Sequence, residues 1–539
     1  MNHLLLNILK QSRLLLVFLS VLLVNQVKAQ LIYQPYSYQF YQKLNTPEYS
    51  IDSRLHTSLK PYFLSDSNQV HTAYDSIMNF KINKPGLNWV IRAVFTGHLA
   101  DVKTKNYTIY FDYLPDLQVG KEHFGSRSVW LNTRGFQFGA TIGKNFFIYT
   151  SLFENQGQFP NYIDDYIKYS RVVPSEISVN ILPFSNGSTD WSYVTTLVGF
   201  KPNNNITVTL GQDKIFIGDG YRSLLLSDNA PVAPLLRFTV NLNKNIQYTA
   251  LWTYLQDQHA PTIDTFTNNR RKWAAFHYLD WNISNRASLG FFNGVVAEES
   301  DNQGNVRGFD LNYINPILFS SSIQPSGTVS DNILVGFTGK YKVFNKTTAY
   351  GQLVFGKTAS SNSNSSPNAV QVGVRGSDLF TVHSLNYILE YNNVGQEMYY
   401  GKNSMVNYTQ LSEPLGDPLG SNFKEILGIL NYSTKHMDFQ LQGNYAQLGV
   451  NAGINDYGSN IRQVNYDNNP QVIGTLPITS PTTLKYAEAT VSFILNPNFN
   501  MRLELGGLYR EVSSSTSNAK TAMITIGLRS TFRNLYHDF

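Results

Sequence analysis

Two aspartates stand close together in one glycine-containing stretch of the chain. Asp213 ends the run GQD, and Asp219 is the centre of the run GDG. Paired carboxylates carry out glycoside hydrolysis when their separation in space is suitable, and sequence does not give that separation. Aspartates also cap turns through hydrogen bonds to the nearby backbone. We favour this second interpretation.

The residues around the two aspartates carry groups that sugar-binding sites use, namely carboxylates, hydroxyls, a guanidinium and an aromatic ring. The candidates for binding a polysaccharide, or for locking the segment in place as a plug, are Asp213, Lys214, Asp219, Tyr221, Arg222, Ser227 and Asp228. An equally open alternative is that Asp213 pairs with Lys214 and Asp219 with Arg222. Such ion pairs would fix the segment without touching any ligand.

No other set of residues in the sequence is typical of catalysis. The histidines are scattered without the paired spacing of a metal site, and no GxSxG nucleophile motif occurs. The chain has no cysteine, and therefore no thiol nucleophile, disulfide or Cys-based zinc site. We predict no catalytic residue, no metal site and no cofactor, in a protein that is not an enzyme.

The composition indicates what kind of element positions these residues. Charged residues make up 15% and aromatic residues 14% of the 539 residues, whereas soluble proteins have about 25% charged residues. Few charges and many rings are typical of a wall that faces lipid. The mean hydropathy of −0.23 argues against a bundle of membrane helices. The net charge of +5 gives no indication of nucleic-acid binding.

Residues 1–29 have the three parts of a secretory signal peptide. Lys10 and Arg13 form a basic start, residues 14–24 are an apolar run, and residues 27–29 suit a cleavage site. The mature chain is therefore predicted to begin near Gln30. A membrane helix is the alternative, but the apolar run is short for a span.

Much of the remaining chain alternates apolar and polar residues with a period of two, which predicts β-strands. This period fits both a soluble sandwich and a membrane barrel. The signal peptide and the length of the pattern without a dividing linker favour a single large antiparallel transmembrane β-barrel. We expect residues 522–532 to form the closing strand, and the terminal Phe539 resembles the recognition signal of outer-membrane barrels. Arg533 and His537 stand where that strand would carry apolar residues.

The predicted organisation is a signal peptide (1–29), an irregular N-terminal periplasmic or lumen segment (30–105) and a barrel (106–539) with an insert at 211–237. First strands are expected at 89–99 and 107–113, and loops at 360–367 and 451–482. In the insert, Gly218 and Gly220 permit positive φ and close backbone approach. Residues 223–227 suit an apolar turn, and the prolines of the insert prevent regular pairing. So apolar a segment is expected to fold inward and fill the lumen.

The insert also carries a family resemblance. Its run SLLLSDNA, residues 223–230, resembles the capsule-assembly Wzi family of outer-membrane barrels. Residues 132–139, 153–160 and 534–539 are similar to the branch named gliding-motility protein RemB. The resemblance covers roughly residue 107 to the end of the chain. It implies a barrel of about eighteen strands, an occluded lumen and, from the capsule members, binding of surface polysaccharide.

Sequence and resemblance together predict a cell-surface protein of the outer membrane that binds or organises polysaccharide, or supports adhesion and gliding motility. Its expected partners are outer-membrane lipid and either surface polysaccharide or the motility machinery. Two alternatives remain open. A diffusion porin requires an open lumen with charged constriction rings. An outer-membrane hydrolase requires acids, or a Ser–His pair, that meet at one rim.

Overall fold

The structure is a computed structural model of the chain. It describes residues 31–64, 67–78, 88–178, 187–260, 269–301, 303–319, 331–356, 367–401, 403–449, 461, 464–465, 470–471 and 481–539. The predicted signal peptide and most of the two predicted loops, 360–367 and 451–482, lie outside these residues.

Eighteen long strands within the described residues form one sheet that follows chain order, and each strand is antiparallel to its neighbours. The strands are β1 (Tyr107–Glu122), β2 (Ser128–Ile142), β3 (Phe146–Gln158), β4 (Thr189–Phe200), β5 (Ile206–Gln212), β6 (Pro234–Asn241), β7 (Ile246–Asp257), β8 (Arg270–Asn282), β9 (Ala287–Glu298), β10 (Asn332–Phe344), β11 (Thr347–Gly356), β12 (Asn368–Gly376), β13 (Leu385–Val394), β14 (Phe423–Ser433), β15 (Met437–Leu448), β16 (Thr482–Asn496), β17 (Met501–Ser513) and β18 (Asn518–Ser530).

The sheet closes between its last and first strands. Met523 of β18 lies opposite Glu122 of β1, and Leu528 lies opposite Leu117. The other half of β1 pairs with a short strand, Ala100–Lys103. Closure pairs backbone groups that lipid cannot hydrate. The predicted antiparallel barrel of about eighteen strands is confirmed.

The side chains of the wall are arranged in the reverse of a soluble sandwich. In β10, Thr338 and Lys340 point inward and are buried, whereas Tyr341 points outward and is exposed. In β18, Thr525 is buried inside, whereas Ile524 points outward and is 68% exposed. Polar residues inside and apolar residues outside match a wall that contacts hydrocarbon. The sandwich alternative is therefore excluded.

The two ends of the barrel differ in their connections. At one end, which we call the short-turn end, strands are joined by turns such as residues 143–145 and 345–346. At the other, the long-loop end, the connections include residues 159–188 and 395–422. In outer-membrane barrels the short turns face the periplasm and the long loops face the exterior. Here β1 begins and β18 ends at the short-turn end.

Four segments of the described chain contact the inward face of the wall. They are the N-terminal segment (31–64) with helices α1 (Tyr38–Gln42) and α2 (Asn45–Glu48), the insert (213–233), the loop 395–422 and the C-terminal tail (531–539). Apolar side chains of the first three segments share one core with the wall, which includes Leu224, Leu225, Phe276, Phe292, Leu334, Tyr399 and Tyr408. The tail packs in other clusters, through Phe532 and Tyr536. The protein's own chain thus blocks the lumen, and a cavity of about 850 Å³ remains between the N-terminal segment, residues 71–78 and strands β1–β3.

The remaining elements belong to the connections between strands and to the N-terminal part of the chain. Helices α3 (Asn68–Met78) and α4 (Trp89–Phe95) are near the short-turn end, and α5 (Asn161–Ser170) is at the long-loop end. The 3₁₀ helices are Leu311–Ile314, Leu379–Thr381, Ser404–Val406 and Pro497–Phe499. Short strand pairs join Leu59–Lys60 with Phe216–Ile217, Val172–Val173 with Ile177–Ser178, Thr409–Gln410 with Glu413–Pro414, and Val464–Asn465 with Pro470–Gln471. None of the helices in the described ranges is both long and apolar enough to cross a membrane.

The strand predicted at 89–99 is wrong, because α4 occupies its first part. The Asn88 side chain accepts a hydrogen bond from the amide of Val90 (3.2 Å) and so starts the helix as its N-cap. The local cap overrides the alternation that suggested a strand. The strand predicted at 107–113 is confirmed as part of β1.

The C-terminal strand ends earlier than the sequence suggested. β18 stops at Ser530, and the tail then turns into the lumen. Arg533 pairs there with Glu176 (2.6 Å), and the ring of Phe539 contacts that of Tyr166 on α5. The expected closing strand, 522–532, is confirmed only as far as Ser530, and Phe539 lies in the tail inside the barrel. The tail lies among polar groups of the lumen, which accounts for its charged residues.

Candidate functional site

The insert folds back on itself inside the barrel and rejoins the wall at Pro234. Its first arm, Phe216–Ile217, pairs antiparallel with Leu59–Lys60 of the N-terminal segment. The amide of Ile217 donates to the carbonyl of Leu226 (2.8 Å), which joins the two arms of the insert. The predicted lumen-filling insert is confirmed, with its turn between these arms.

The turn of the insert is apolar and tightly held. Ser223 Oγ accepts hydrogen bonds from the turn amides, including that of Leu225 (3.1 Å). Leu224 and Leu225 are fully buried. Their carbonyls accept hydrogen bonds from the hydroxyls of Tyr399 (2.8 Å) and Tyr408 (2.5 Å) in the loop 395–422. The backbone of the turn is thus satisfied by protein groups.

Asp219 joins the insert to the N-terminal segment and to the wall. It accepts hydrogen bonds from Tyr49 (2.9 Å), Thr57 (3.1 Å) and Ser58 (2.8 Å). Lys340 of β10 lies 3.3 Å from the same carboxylate. Burial alone would raise the pKa of Asp219, but Lys340 and the other cationic and hydroxyl groups around it hold that pKa well below its usual range. Asp219 is therefore a fully bonded carboxylate.

Arg222 joins the insert to the wall and to the tail. Its Nη2 lies 3.0 Å from Glu425 Oε1 of β14 and 3.0 Å from Asp538 Oδ2 of the tail. Its amide donates to Glu390 Oε1 of β13 (3.2 Å). Burial opposes the charge, but Asp538 and Glu425 raise the pKa of Arg222 well above its usual value. Arg222 and Asp219 thus pair with other parts of the chain and not with each other.

Asp213 and Lys214 begin the insert and have different partners. Asp213 accepts a hydrogen bond from the hydroxyl of Tyr33 and one from the amide of Lys214 (2.7 Å). Burial raises the pKa of Asp213 to about 6 and lowers the pKa of Lys214 to about 8. The ammonium of Lys214 donates to the carbonyls of Ser175 (2.5 Å), Asp228 (2.8 Å) and Ala230 (2.6 Å).

The second arm of the insert is bonded to the tail. Asp228 accepts hydrogen bonds from Asn534 (2.6 Å) and from the hydroxyl of Tyr536 (2.7 Å). Burial raises the pKa of Asp228. The hydroxyl of Tyr221 donates to Asp538 (3.1 Å). The tail therefore contacts both arms of the insert.

The predicted site residues share one property, which is that each is bonded to another part of the chain. Ser227, the last of them, donates to the carbonyl of Gly416 (2.5 Å). Asp213 and Asp219 contact different parts of the N-terminal segment, at Tyr33 and Tyr49. Within the described residues, no group of three or more His, Asp or Glu side chains is arranged to hold a metal ion. The arrangement is suited to locking a plug.

Sequence reasoning missed the wall and tail partners of these residues. Glu390, Glu425 and Asp538 surround Arg222, and Arg375 donates to the carbonyl of Asp219 (2.6 Å). A usable indication existed for the wall residues, because Arg375 stands on the polar face of an alternating strand. Nothing local in the sequence distinguishes Asp538, whose role depends on the path of the tail.

Gly218 and Gly220 were expected to permit positive φ and close approach, and only the second expectation is confirmed. Neither is among the positive-φ glycines of the described chain. A Cβ on Gly220 would lie 2.0 Å from Glu390 Oε2, and one on Gly218 would lie 2.6 Å from Gln352 Nε2. Glycine is needed here because the insert approaches the wall so closely.

Gly220→Ala is expected to destabilise the docked insert by about 1–3 kcal/mol. The added methyl group displaces the Glu390 carboxylate, which accepts hydrogen bonds from the amides of Tyr221 and Arg222. Thermal unfolding followed by tryptophan fluorescence measures the loss. Gly443→Ala is the matched control, since its Cβ would meet nothing within 4 Å. Equal midpoints for the two variants would contradict the contact.

Asp213 is expected to make stability depend on pH in the acidic range. Because burial raises its pKa to about 6, the folded protein holds a proton that the unfolded chain releases near pH 4, and stability falls as the pH rises from about 4 to 6. Relative to Asp213→Asn, the wild type is expected to lose up to ~3 kcal/mol across this range, at ~1.4 kcal/mol per pKa unit. Unfolding midpoints that change in parallel for the two proteins would refute this.

The closed wall, with its apolar outer face, and the segments inside it together define an antiparallel β-barrel of the transmembrane type with an internal plug. No protein-family model matches the chain, and no curated protein matches its sequence. Among solved structures, it is similar to Wzi, an outer-membrane protein involved in group 1 capsule assembly in Escherichia coli and described as a carbohydrate-binding β-barrel. The TM-score is 0.53 at 14% identity, over 93% of this chain and 100% of that one.

Porins give weaker matches. OprD from Pseudomonas aeruginosa has a TM-score of 0.44 at 9% identity, over 80% of this chain and 95% of that one. A BenF-like porin from Pseudomonas fluorescens has a TM-score of 0.42 at 7% identity, over 78% and 97%. At such identities the likeness to Wzi shows the fold alone, which agrees with the barrel described above.

Proposed function

We propose that this chain is a non-enzymatic outer-membrane protein that binds or organises polysaccharide at the cell surface, with its long-loop end outward. The observation that carries the proposal is the blocked lumen. Because the protein's own segments occupy the barrel, its working surface is the long-loop end. The shared fold with Wzi, described as a carbohydrate-binding barrel, supports the choice of ligand class.

The blocked lumen argues against the porin alternative. A diffusion porin needs a water-filled channel. Here Leu224 and Leu225 are fully buried in the lumen, and the polar groups beside them are bonded to one another. A solute would have to displace this apolar turn in order to pass.

The state of the two acids argues against the hydrolase alternative. Asp213 and Asp219 are buried, and both accept hydrogen bonds from the N-terminal segment. A glycosidase needs two carboxyl groups facing one bond of the substrate. We propose that these acids, together with the other candidate residues of the insert, lock the plug and do not contact the ligand directly.

We propose that the polysaccharide contacts the exposed side chains of α5, which forms a roof over the plug together with residues 256–260 and the largely buried residues 409–414. Gln258 bridges two of these parts, because its Nε2 donates to Ser170 O (2.6 Å) and to Ser412 Oγ (3.2 Å). Glu413 accepts a hydrogen bond from Asn229 of the insert (3.3 Å). The roof is therefore seated on the plug, and α5 presents exposed charged side chains such as Lys168.

Lys168→Ala is expected to weaken binding of polysaccharide extracted from the producing cells by about tenfold, since a hydrogen bond from a charged donor contributes ~1.5 kcal/mol. Interferometry on the purified full-length protein measures the affinity. Lys346→Ala is the matched control, because it removes a similarly exposed lysine from an ion pair at the short-turn end. No binding by the wild type, or equal losses in both variants, would contradict the proposal.

A role in adhesion or gliding motility, which the resemblance to the RemB branch implies, stays a prediction. Gliding speed of cells that lack the protein tests it separately from polysaccharide binding.

A further inference from the structure

One part of the outer wall does not have the exposure of a surface that meets lipid directly. On β8 and β9, the outward residues Ala275, His277, Val295 and Ala297 are buried, and His277 is only 6% exposed. By contrast, the outward residues Ile524 and Ile526 of β18 are exposed. Something other than membrane lipid therefore covers the upper part of β8 and β9.

The cover is a segment of the connection between β9 and β10, residues 303–319, which we call the flap. Tyr313, in the 3₁₀ helix of the flap, packs in one cluster with Ala275 and Val295. The ring of Phe309 contacts that of Trp273 on β8, with centroids 5.3 Å apart. The flap thus lies against the outside of the barrel and not over its mouth.

The wall supplies hydrogen bonds to the backbone of the flap. The carbonyl of Tyr313 accepts from Trp252 Nε1 (2.8 Å) and contacts His277 Nε2 (3.0 Å). The other ring nitrogen of His277 is 2.6 Å from the hydroxyl of Tyr248. In hydrocarbon, irregular backbone is tolerated only where protein satisfies its polar groups. An outward histidine is otherwise unfavourable in lipid, and here the ring of His277 contacts the backbone of the flap.

The flap satisfies further backbone groups by itself. Asp310 accepts hydrogen bonds from the amide of Asn312 through its side chain (2.9 Å) and from that of Tyr313 through its carbonyl (3.0 Å). The amide of Ile317 donates to the side chain of Asn315 (3.0 Å). These bonds lower the energetic cost of placing this irregular segment in a membrane.

The position of His277 sets the depth of the flap. It is the third outward side chain of β8 from the short-turn end, after Trp281 and Leu279. With a rise of about 3.3 Å per residue and a tilt of about 40°, it lies roughly 13 Å from that end of the strand. That is near the middle of an apolar band about 25 Å tall.

The outer surface of residues 311–317 of the flap is mainly apolar and continues the lipid-facing wall, and Asn312, its exposed polar side chain, donates a hydrogen bond to Asp310 (2.8 Å). Leu311 is 76% exposed and Ile317 is 67% exposed. Beside the flap, an outward groove of about 490 Å³ is lined mainly by apolar residues, including Trp252 and Trp273, which also contact the flap. We propose that the flap is immersed in the outer leaflet of the membrane, where acyl chains of membrane lipid cover Leu311, Ile314 and Ile317.

Spin labelling tests this directly, because the chain contains no cysteine and each substitution gives a single labelling position. Leu311→Cys and Ile317→Cys are labelled with a nitroxide in the full-length protein, reconstituted in phosphatidylcholine–phosphatidylglycerol nanodiscs. Collision rates with oxygen, which concentrates in lipid, are compared with those of a water-soluble nickel chelate. Ile524→Cys on the lipid-facing wall and His383→Cys, exposed at the short-turn end, are the reference positions.

Labels at 311 and 317 are expected to collide several times more often with oxygen than with the nickel chelate, as at 524. Nickel access as high as at 383 would place the flap in water and overturn the proposal. Low access to both reagents would mean that protein, such as a second copy of the chain, covers the flap, and this outcome also overturns it. The second position keeps the test decisive if one variant fails to assemble.

Discussion

Arg222→Met is expected to release the plug while the barrel stays inserted. Arg222 is the cation between Glu425 of the wall and Asp538 of the tail, and all three residues are buried. Removing one partner of a buried ion pair typically costs about 3–5 kcal/mol, because the remaining charges stay buried without compensation. Liposomes that contain the variant are expected to become permeable to small sugars, which the wild type excludes, as measured by swelling.

The control for this variant separates plug release from general destabilisation. Arg529 is also buried, but it pairs with Asp116 of β1 and Glu504 of β17, within the wall. Arg529→Met is expected to lower the unfolding temperature without making liposomes permeable. Permeability in both variants, or in neither, would contradict the assignment of Arg222 as the lock. Adding Glu425→Gln and Asp538→Asn to Arg222→Met removes the stranded charges and is expected to restore part of the stability.

Removal of residues 533–539 is expected to open the lumen more than any single substitution. The truncation removes the bonds of Asn534 and Tyr536 to Asp228 and that of Asp538 to Arg222, so both arms of the insert lose contacts. It also removes the main-chain oxygen of Phe539, which accepts a hydrogen bond from Arg510 (2.8 Å) near the long-loop end of β17. Liposome swelling is expected to exceed that of Arg222→Met.

A point variant keeps this prediction testable if the truncated chain assembles poorly. Asp538→Ala leaves the tail in place but removes its charge from Arg222 and its contacts with Gln442 (2.6 Å) and Asn444 (3.2 Å). It is expected to give intermediate permeability. His537→Gln is the control in the same segment. The His537 ring makes only a weak contact with Glu488, at a distance of 3.9 Å. An impermeable Asp538→Ala variant, with the protein shown to be inserted, would refute a role for the tail in closure.

The wall could be predicted from the sequence because its pattern is local. Each strand repeats the same alternation, with apolar side chains outward and polar side chains inward. Spacing alone therefore predicts that Lys340 faces the lumen and Ile524 faces the lipid. The insert could be predicted for a similar reason, since a leucine-rich turn between two strands has few places to go other than inward. Both predictions rest on the cost of exposing apolar surface to water.

Long-range partners could not be predicted in this way. One alternative left open by the sequence paired Arg222 with Asp219, three residues away, whereas its partners in the structure are Glu425 and Asp538. Which side chains form ion pairs inside a barrel depends on the path of the chain around the wall. Local sequence spacing does not determine that path. The α4 helix was missed because a single cap, Asn88, decides its start. The path of the tail was missed because it depends on contacts with distant parts of the chain, such as that of Arg533 with Glu176.

Planar-bilayer recording of the wild-type mature protein tests the central claim most directly. If the chain itself closes the lumen of a lipid-embedded barrel, insertion leaves the membrane at its baseline conductance at either polarity. Steady currents of the size that open barrels give would show that water and ions fill the space assigned to the insert, the N-terminal segment and the tail, and the account would then be wrong.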